Sequence, residues 1–198
     1  MLTLCIDTAY KHLTCALIKD DMILASVSEM CFKKQSEELF SYLNRVFKLA
    51  NVERRDIDSI CITEGPGSYT GVRIAMTLAK TMGVSLPCDV YTISTLRLYA
   101  SNDPTTFVIM NARANRAYVG AYDGDEVILD DCVVNITDID ANDFTVIGDG
   151  SLLGKDDIYP NIPEAFLRTK HLWKKVENIS FLVPKYLKES ESYLQWSS

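Results

Sequence analysis

Histidine is scarce in this chain, and its few histidines form no metal-binding motif. The 198 residues include two, His12 and His171, far apart in the sequence. Neither H-x-x-x-H nor H-E-x-x-H occurs, and no G-x-S-x-G elbow is present to carry a serine nucleophile. No recognisable metal-hydrolase or serine-hydrolase site remains. We therefore predict no catalytic residue and no metal ligand, and we interpret both histidines as surface or structural residues.

Paired cysteines and long apolar runs are also absent. No two of the six cysteines form a C-x-x-C pair, which argues against a zinc site or a disulfide framework. No apolar run reaches the roughly 18 residues that span a bilayer. The N-terminal segment reads as a first strand rather than a signal peptide, because it has no basic region and is interrupted by Asp7. These features predict a cytoplasmic protein without a membrane segment, whose thiols are buried in a reducing compartment.

Positive charge is limited as well. The 20 Lys and Arg residues are outnumbered by 27 Asp and Glu, which gives a net charge of −7 and a pI near 4.9. Nucleic-acid binding depends on Lys and Arg that neutralise phosphates. We therefore expect contact with nucleic acid only indirectly, through another subunit.

A glycine-rich segment, Gly65–Arg73, is the most distinctive feature present. It joins a predicted strand, Ile57–Thr63, to a predicted helix, Val72–Val84. Such a turn can direct backbone N–H groups at an anion, and it can equally be a simple connection. The segment matches neither the Walker A motif nor the dinucleotide fingerprint.

The order of predicted elements indicates the fold. Three short strands form an antiparallel meander, and they are followed by helix, strand, helix, strand and helix. We place the first helix after Ser36 as its N-cap and the short third helix after Ser94. This order gives a mixed five-stranded α/β sheet flanked by helices, the repeating unit of the actin, Hsp70 and sugar-kinase (ASKHA) fold.

A polar turn at residues 101–104 predicts the boundary between two lobes, residues 1–102 and 103–198. Asp7 and Thr8 end the first strand, where the fold places an acidic residue beside a phosphate. Hydrogen bonds to a neighbouring turn are the alternative role for both. The possible vestigial anion or nucleotide site comprises Asp7, Thr8, Gly65, Gly67, Ser68, Arg73 and Asn111.

The second helix carries a stripe of small residues, Gly71, Ala75, Ala79 and Gly83. A stripe of this kind lets another backbone approach closely, either within the subunit or in a partner. The rest of the helix is apolar nearly all round, so another subunit could bury one flank.

Together these segments resemble the TsaB (YeaZ) family over nearly the whole chain. The glycine-rich loop with the following Ala79-Lys80 is its most specific part. The family order continues through Leu4–Thr8, Gln35–Leu39, Met110–Arg113, Gly148–Gly150 and Pro184–Leu187. The resemblance implies a two-lobed actin-like fold, and the second lobe of this chain is predicted to be shorter than is usual in the family. It also implies a non-catalytic scaffold that pairs with TsaD and, through the complex, with TsaE. That complex transfers threonylcarbamoyl to adenosine beside the tRNA anticodon.

The resemblance further implies no intrinsic cofactor, with ATP or ADP bound only at the level of the complex. It assigns partner contacts to helices Ser36–Ala50 and Val72–Gly83, which would also form a homodimer when the chain is alone. The implied interface residues are Leu39, Leu43, Val46, Phe47, Gly71, Ile74, Ala75, Leu78, Ala79 and Met82.

The chain departs from the family at Gln35, at Asn111 and in its short C-terminal half.

The alternative functions are an independent actin-fold ATPase or small-molecule kinase and, last, a glycoprotease-like peptidase.

Overall fold

The computed structural model describes residues 1–31 and 34–187, and it confirms the two-lobed α/β fold. The first lobe is built on one mixed sheet in the strand order β5-β4-β1-β2-β3. Short polar turns separate the first three strands, so they form the predicted antiparallel meander, while β4 and β5 run parallel to β1. The strands are β1 (Leu2–Asp7), β2 (His12–Lys19), β3 (Met22–Met30), β4 (Ser59–Thr63) and β5 (Asp89–Ile93).

Two helices cover one face of this sheet, and a third lies on the other face. The crossovers β3–α1–β4 and β4–α2–β5 join parallel strands and proceed in the same direction along the sheet. Right-handed crossovers therefore place α1 and α2 side by side and parallel on one face. Alternate residues of the strands point to the two faces, so each face has its own apolar cluster. The helices are α1 (Gln35–Ala50), α2 (Tyr69–Ser85) and α3 (Thr95–Ala100).

The second lobe repeats the first in reduced form. Its sheet has the order β8-β7-β6-β9, which is the order of the first lobe without the fifth strand. A single 3-10 turn, Ile136–Asp138, stands in the crossover between β8 and β9 where the first lobe has a helix. The strands are β6 (Thr106–Arg113), β7 (Arg116–Asp123), β8 (Glu126–Asn135) and β9 (Thr145–Gly148).

The chain then returns to the first lobe. Helix α4 (Ile162–Arg168) packs beside α3 between the two sheets, and the two-residue strand β10 (Lys174–Lys175) pairs with β5. Further along, the backbone N–H of Lys185 donates to the carbonyl of Glu64 at 2.8 Å. The division of the chain at residue 102 stays a prediction, and residues 162–187 lie mostly against the lobe that comes first in the sequence.

Helix starts differ from the sequence-based expectations in two places. Ser36 is not an N-cap, because α1 begins at Gln35 and its cap residue, Lys34, makes no side-chain cap bond. Helix α2 begins at Tyr69, three residues before the predicted start. Its N-cap is Ser68, whose hydroxyl accepts from the Gly71 N–H at 3.3 Å. The predicted cap of α3 is confirmed at Ser94, whose side chain accepts from the Arg97 N–H.

All six cysteine thiols are free, and five of the six are buried, which agrees with the predicted burial. Burial raises the pKa of the Cys15 thiol to about 12 and that of Cys132 to about 11. Over residues 1–31 and 34–187, the longest helices are too short or too polar to cross a membrane.

The β6–β7 hairpin contains a run of left-handed backbone. Arg113 pairs with Arg116, so Ala114 and Asn115 are the two central residues of the turn. Arg113 has φ 67°, Ala114 φ 50° and Asn115 φ 57°, and the register shifts just before this point. A two-residue turn of this type requires positive φ at both central positions, which suits Gly or Asn better than Ala. The shift in register turns the Arg113 side chain toward the space between the lobes.

We therefore expect Ala114→Gly to raise the free energy of unfolding by about 0.5–1 kcal/mol. The gain is the relief of left-handed strain, reduced by the greater freedom of glycine in the unfolded chain. Urea unfolding measures it. The matched control, Ala112→Gly in strand β6, lies outside the positive-φ run and should lower the stability instead. Equal effects of the two changes would contradict the prediction.

Candidate functional site

One buried hydroxyl joins the end of β1 to the start of α2. Thr8 Oγ1 donates to the carbonyl of Gly71 at 2.6 Å and accepts from the N–H of Ala75 at 3.3 Å. Gly71 has no room for a side chain, because an added Cβ would lie 2.2 Å from the carbonyl oxygen of Thr8. The loop is held at its other side by a 2.7 Å hydrogen bond from the Ser68 N–H to the Ala9 carbonyl. The glycine-rich loop is therefore packed tightly on the β1–β2 turn.

Asp7 faces into the protein. Its carboxylate accepts from the Ala9 N–H at 2.9 Å, from the Thr63 hydroxyl at 2.7 Å and from the Tyr99 hydroxyl at 3.1 Å. Burial raises the pKa of Asp7, and these three hydrogen bonds oppose the increase. Asp7 and Thr8 thus have the hydrogen-bonding role that the sequence left as the alternative to a phosphate site.

A cavity of about 710 Å³ lies between the two lobes, and we call it the interlobe cavity. Of the predicted anion-site residues, Gly67, Ser68 and Asn111 line it. Asp7, Thr8, Gly65 and Arg73 do not. The anion site stays a prediction, and only three of its seven predicted residues line the interlobe cavity.

The base of the interlobe cavity is closed by a polar network around Asp149, which is almost completely buried. From the first lobe, Lys11 Nζ donates to Asp149 Oδ1 at 2.6 Å, and the Tyr10 hydroxyl also donates to this carboxylate. From the second lobe, the Tyr159 hydroxyl and the Asn111 N–H do the same, the latter at 2.9 Å. Burial alone would raise the pKa of Asp149, but the hydrogen bonds, chiefly from Lys11, hold it below its usual value. The network joins the lobes directly.

The residues present do not fit a nucleotide in the manner of the actin-like fold. The carboxylate expected beside the phosphates, that of Asp7, is enclosed. The Lys11 ammonium group is paired with Asp149. In the loop, the N–H groups of Ser68 and Gly71 already have partners. In the part of the chain that the structure describes, no group of three or more His, Cys, Asp or Glu side chains could hold a metal ion.

Both histidines have structural surroundings. The His12 ring meets the Tyr159 ring edge-on, with 5.2 Å between centroids, and burial lowers the pKa of His12. His171 lies on the surface, 2.7 Å from the Asp125 carboxylate. Ser68 serves as the helix cap described above.

A second large concave surface is apolar and lies between α1 and α2, and we call it the α1–α2 groove. Its volume is about 690 Å³. Phe40 and Tyr69 are 60% and 62% exposed at its edge, and Ile74, Leu78 and Met82 are half-buried along its α2 side. Leu39, Leu43 and Phe47 form the floor on the α1 side. An exposed apolar groove of this kind is a candidate interaction site.

Six of the ten predicted interface residues line the α1–α2 groove, and four do not. Val46, Ala75 and Ala79 are completely buried within the subunit, and Gly71 abuts Thr8. The small-residue stripe therefore serves internal packing: the space beside Gly83 is filled by Ile179 from the returning chain. On α2, the predicted interface residues that line the α1–α2 groove are Ile74, Leu78 and Met82, and their contact with a partner stays a prediction.

Several residues that line these two surfaces were not predicted from the sequence. Tyr10 and Lys11 lie in the turn between β1 and β2, from which side chains reach the space between the lobes, and this position could have indicated them. Tyr159 lies in a segment without periodicity, so no sequence signal indicated it. Phe40 and Arg54, at the edges of the groove, were also missed.

Comparison with known proteins identifies the family. A sequence model of the TsaD family, described as tRNA N6-adenosine threonylcarbamoyltransferase, matches residues 27–146, more than half of the chain. The chain belongs to this family. Several of the curated relatives that match are named TsaB, which confirms the predicted TsaB (YeaZ) resemblance.

Two of these relatives are "tRNA threonylcarbamoyladenosine biosynthesis protein TsaB" of Bacillus subtilis and of Escherichia coli. The first is 33% identical over 126 residues, which is 62% of this chain and 55% of the relative. The second is 27% identical over 132 residues, 64% of this chain and 57% of the relative. The chain thus spans little more than half the length of the curated relatives that it matches.

Solved structures agree with the fold. YeaZ from Pseudomonas aeruginosa superimposes with a TM-score of 0.79 at 19% identity, over 94% of this chain and 99% of that one. A second crystal structure, of a protein described as similar to peptidase YeaZ from the same organism, gives a TM-score of 0.81 at 19% identity. At this identity the likeness establishes the fold alone.

The Asp149 network predicts an acid-sensitive link between the lobes. The folded-state pKa is lowered, so the charged carboxylate stabilises the fold above the unfolded pKa of about 3.9, and this contribution is lost as the pH falls through the folded pKa. Asp149→Asn should lower the free energy of unfolding by about 2–4 kcal/mol at pH 7. The difference from the unchanged protein should shrink below about pH 4.

Urea unfolding at a series of pH values measures both effects. Asp130→Asn, which removes an exposed carboxylate of β8, is the matched control and should change stability little. A constant difference between pH 3 and 7 would contradict a role for the charge of Asp149.

Proposed function

We propose that this protein is a non-catalytic subunit of the machinery that makes threonylcarbamoyladenosine in tRNA. In this role it pairs with TsaD, and through the complex with TsaE. The complex transfers threonylcarbamoyl to adenosine next to the anticodon. The names of the relatives give the pathway, and the α1–α2 groove is the single observation that supports a partner-binding role for this chain.

The groove suits a helical partner. Its two walls are parallel helices, and its surface offers exposed Phe40 and Tyr69 above a continuous apolar floor. A third amphipathic helix laid between two others buries its apolar face on both. Large aromatic residues that become buried in an interface, Tyr and Trp above all, are enriched among the residues that carry most of its binding energy.

A scaffold role also agrees with the arrangement of the polar residues. The hydroxyl of Ser68 caps a helix, and the carboxylates of Asp7 and Asp149 are occupied by internal hydrogen bonds. These groups stabilise the subunit through internal hydrogen bonds. We therefore assign the catalytic residues to the partner and not to this chain.

We expect Phe40→Asp to abolish pairing with the cognate TsaD, with Kd raised about 100-fold or more. The change removes an aromatic contact and brings a carboxylate into an apolar groove. Calorimetry or co-elution of the purified proteins measures it. Leu49→Asp is the matched control: Leu49 is 65% exposed on the same helix but does not line the groove, so binding should persist.

The function itself is tested by tRNA modification in a mixture of the chain, its cognate TsaD, TsaE, tRNA, ATP with Mg²⁺, and threonylcarbamoyl adenylate as the donor. Omission of this chain should abolish modification, and Phe40→Asp should reproduce the omission while Leu49→Asp does not. Modification at full rate without the chain would overturn the proposal.

We also expect the isolated chain to show no measurable heat of binding to ATP with Mg²⁺. The reason is that the groups which would bind the phosphates are not free to do so: Asp7 is enclosed, and Lys11 is paired with Asp149. Saturable binding by the chain alone, lost in a Lys11→Ala variant, would instead support an independent ATPase or kinase.

A further inference from the structure

The last residues that the structure describes, 182–187, form an extended segment against the first lobe, and we call it the C-terminal strap. Just before it, Ile179 fills the space beside Gly83, near the C-terminal end of α2. Within it, the Tyr186 ring stacks on the ring of Tyr69, the first residue of α2, with 5.9 Å between centroids. The chain therefore passes along α2 from the end of that helix to its beginning.

The C-terminal strap is attached to the fold by few contacts. Leu182 is its one buried side chain, while Val183 and Tyr186 are 68% and 55% exposed. Among the described residues, a single backbone hydrogen bond joins residues 183–187 to the rest of the chain, from the Lys185 N–H to the Glu64 carbonyl. Segments with so little buried apolar surface and so few backbone hydrogen bonds open locally without global unfolding. The strap is thus a segment that can detach while the rest of the fold stays intact.

Lys185 connects the C-terminal strap to the second lobe. Its Nζ donates to Asp131 Oδ2 at 2.9 Å, and the Asp131 side chain is only 6% exposed. The same carboxylate accepts hydrogen bonds from the hydroxyl groups of Ser94 and Tyr122. Two hydroxyl groups of the folded core therefore fix the position of the carboxylate, and the strap supplies its cation.

Tyr186 connects the strap to the first turns of α2. Its hydroxyl accepts from Arg73 Nε at 3.1 Å, and the Arg73 guanidinium carbon lies 4.6 Å from the centre of the Tyr69 ring. Consecutive side chains of an extended segment point to opposite sides. Lys185 and Tyr186 are therefore adjacent in the chain but contact different lobes.

We propose that the C-terminal strap docks and releases as one unit, and that its docking couples the second lobe to the start of α2. In the docked state, Lys185 pairs with Asp131 while Tyr186 holds Arg73. In the released state both contacts are lost together, because the two strap residues are adjacent and share one backbone hydrogen bond to the fold. A change at Asp131 therefore alters the surroundings of Arg73, and the converse holds because coupling free energies are reciprocal.

Hydrogen exchange followed by NMR on the full chain tests whether the strap opens separately. The reference is the amide of Val176, which lies earlier in the returning chain and donates to the Val90 carbonyl at 2.8 Å. After correction for intrinsic rates, the Lys185 amide should exchange at least about 10-fold faster than the Val176 amide. Tyr186→Ala should accelerate exchange at Lys185 by about another 10-fold and leave Val176 unchanged.

Tyr186→Phe is the matched control for that variant. It keeps the ring that stacks on Tyr69 and loses only the acceptor for Arg73, so exchange at Lys185 should rise less than about 3-fold. Equal exchange rates at Lys185 and Val176, or equal acceleration of both amides in Tyr186→Ala, would overturn the strap as a separate unit.

The coupling between the lobes is tested through the NMR signal of the Arg73 Nε–H group. In Tyr186→Ala this signal marks the released state, because the acceptor is gone. Asp131→Asn, in the other lobe, should move the signal toward that position. Its matched control is Asp130→Asn, whose side chain lies on the opposite face of β8, and this change should leave the signal in place. Raising the salt concentration from about 0.05 to 0.5 M should act like Asp131→Asn, since Lys185 is partly solvated.

Lys185→Gln removes the same ion pair from its exposed side, and circular dichroism verifies the fold of each variant. If Asp131→Asn does not fold, the response of the Arg73 signal to Lys185→Gln and to salt decides the matter. Neither measurement involves a partner protein, so the result is independent of the proposed function. A shift of the Arg73 signal in these tests that exceeds the shift in Asp130→Asn supports the coupling, and a signal that stays in place would overturn it.

Discussion

The contact between Thr8 and the first turn of α2 determines which side of that helix faces outward. One hydroxyl binds both the Gly71 carbonyl and the Ala75 N–H, and the close approach leaves no space for a Cβ at residue 71. With that side fixed on the sheet, the residues a quarter-turn away must line the outer surface. The groove that α2 forms with α1 is thus a consequence of a backbone contact on the buried side of the helix.

The same turn also joins the lobes. Tyr10 and Lys11 come directly after the residues that hold α2, and both bind Asp149 across the interlobe cavity. Asn111 contributes its backbone N–H from the second lobe, so this bond does not depend on which side chain residue 111 carries. Gln35 is likewise internal, since its amide donates to the Tyr10 carbonyl at 2.7 Å. The turn thereby anchors both α2, which forms one wall of the α1–α2 groove, and the orientation of the lobes.

The strand order could be predicted because short polar turns allow only a meander, and parallel strands require crossovers. The start of α1 could not be predicted. Ser36 carries a side chain that is able to cap a helix, but the chain becomes helical one residue earlier, at Gln35, whose amide donates to the Tyr10 carbonyl. The small residues of α2 could not be assigned to one side either, since close approach to a sheet and close approach to a partner require the same residues. The Asp149 network could not be predicted from the sequence, because it joins residues up to 148 positions apart in the chain. One of them, Tyr159, lies in a segment without hydrophobic periodicity.

The distribution of charge bears on how such a groove discriminates between partners. At physiological ionic strength the screening length is about 8 Å, so most of the net charge of −7 is not felt by a helix docked between α1 and α2. The nearby charges of Arg54 and Arg73 are felt, and they lie at the ends of the groove, where they remain partly solvated. Charges in such positions contribute little free energy each, but they penalise a partner that presents a cation at either end. For any ligand of the α1–α2 groove, the apolar floor therefore offers most of the binding free energy, and the two arginines act chiefly on the choice between ligands of different charge.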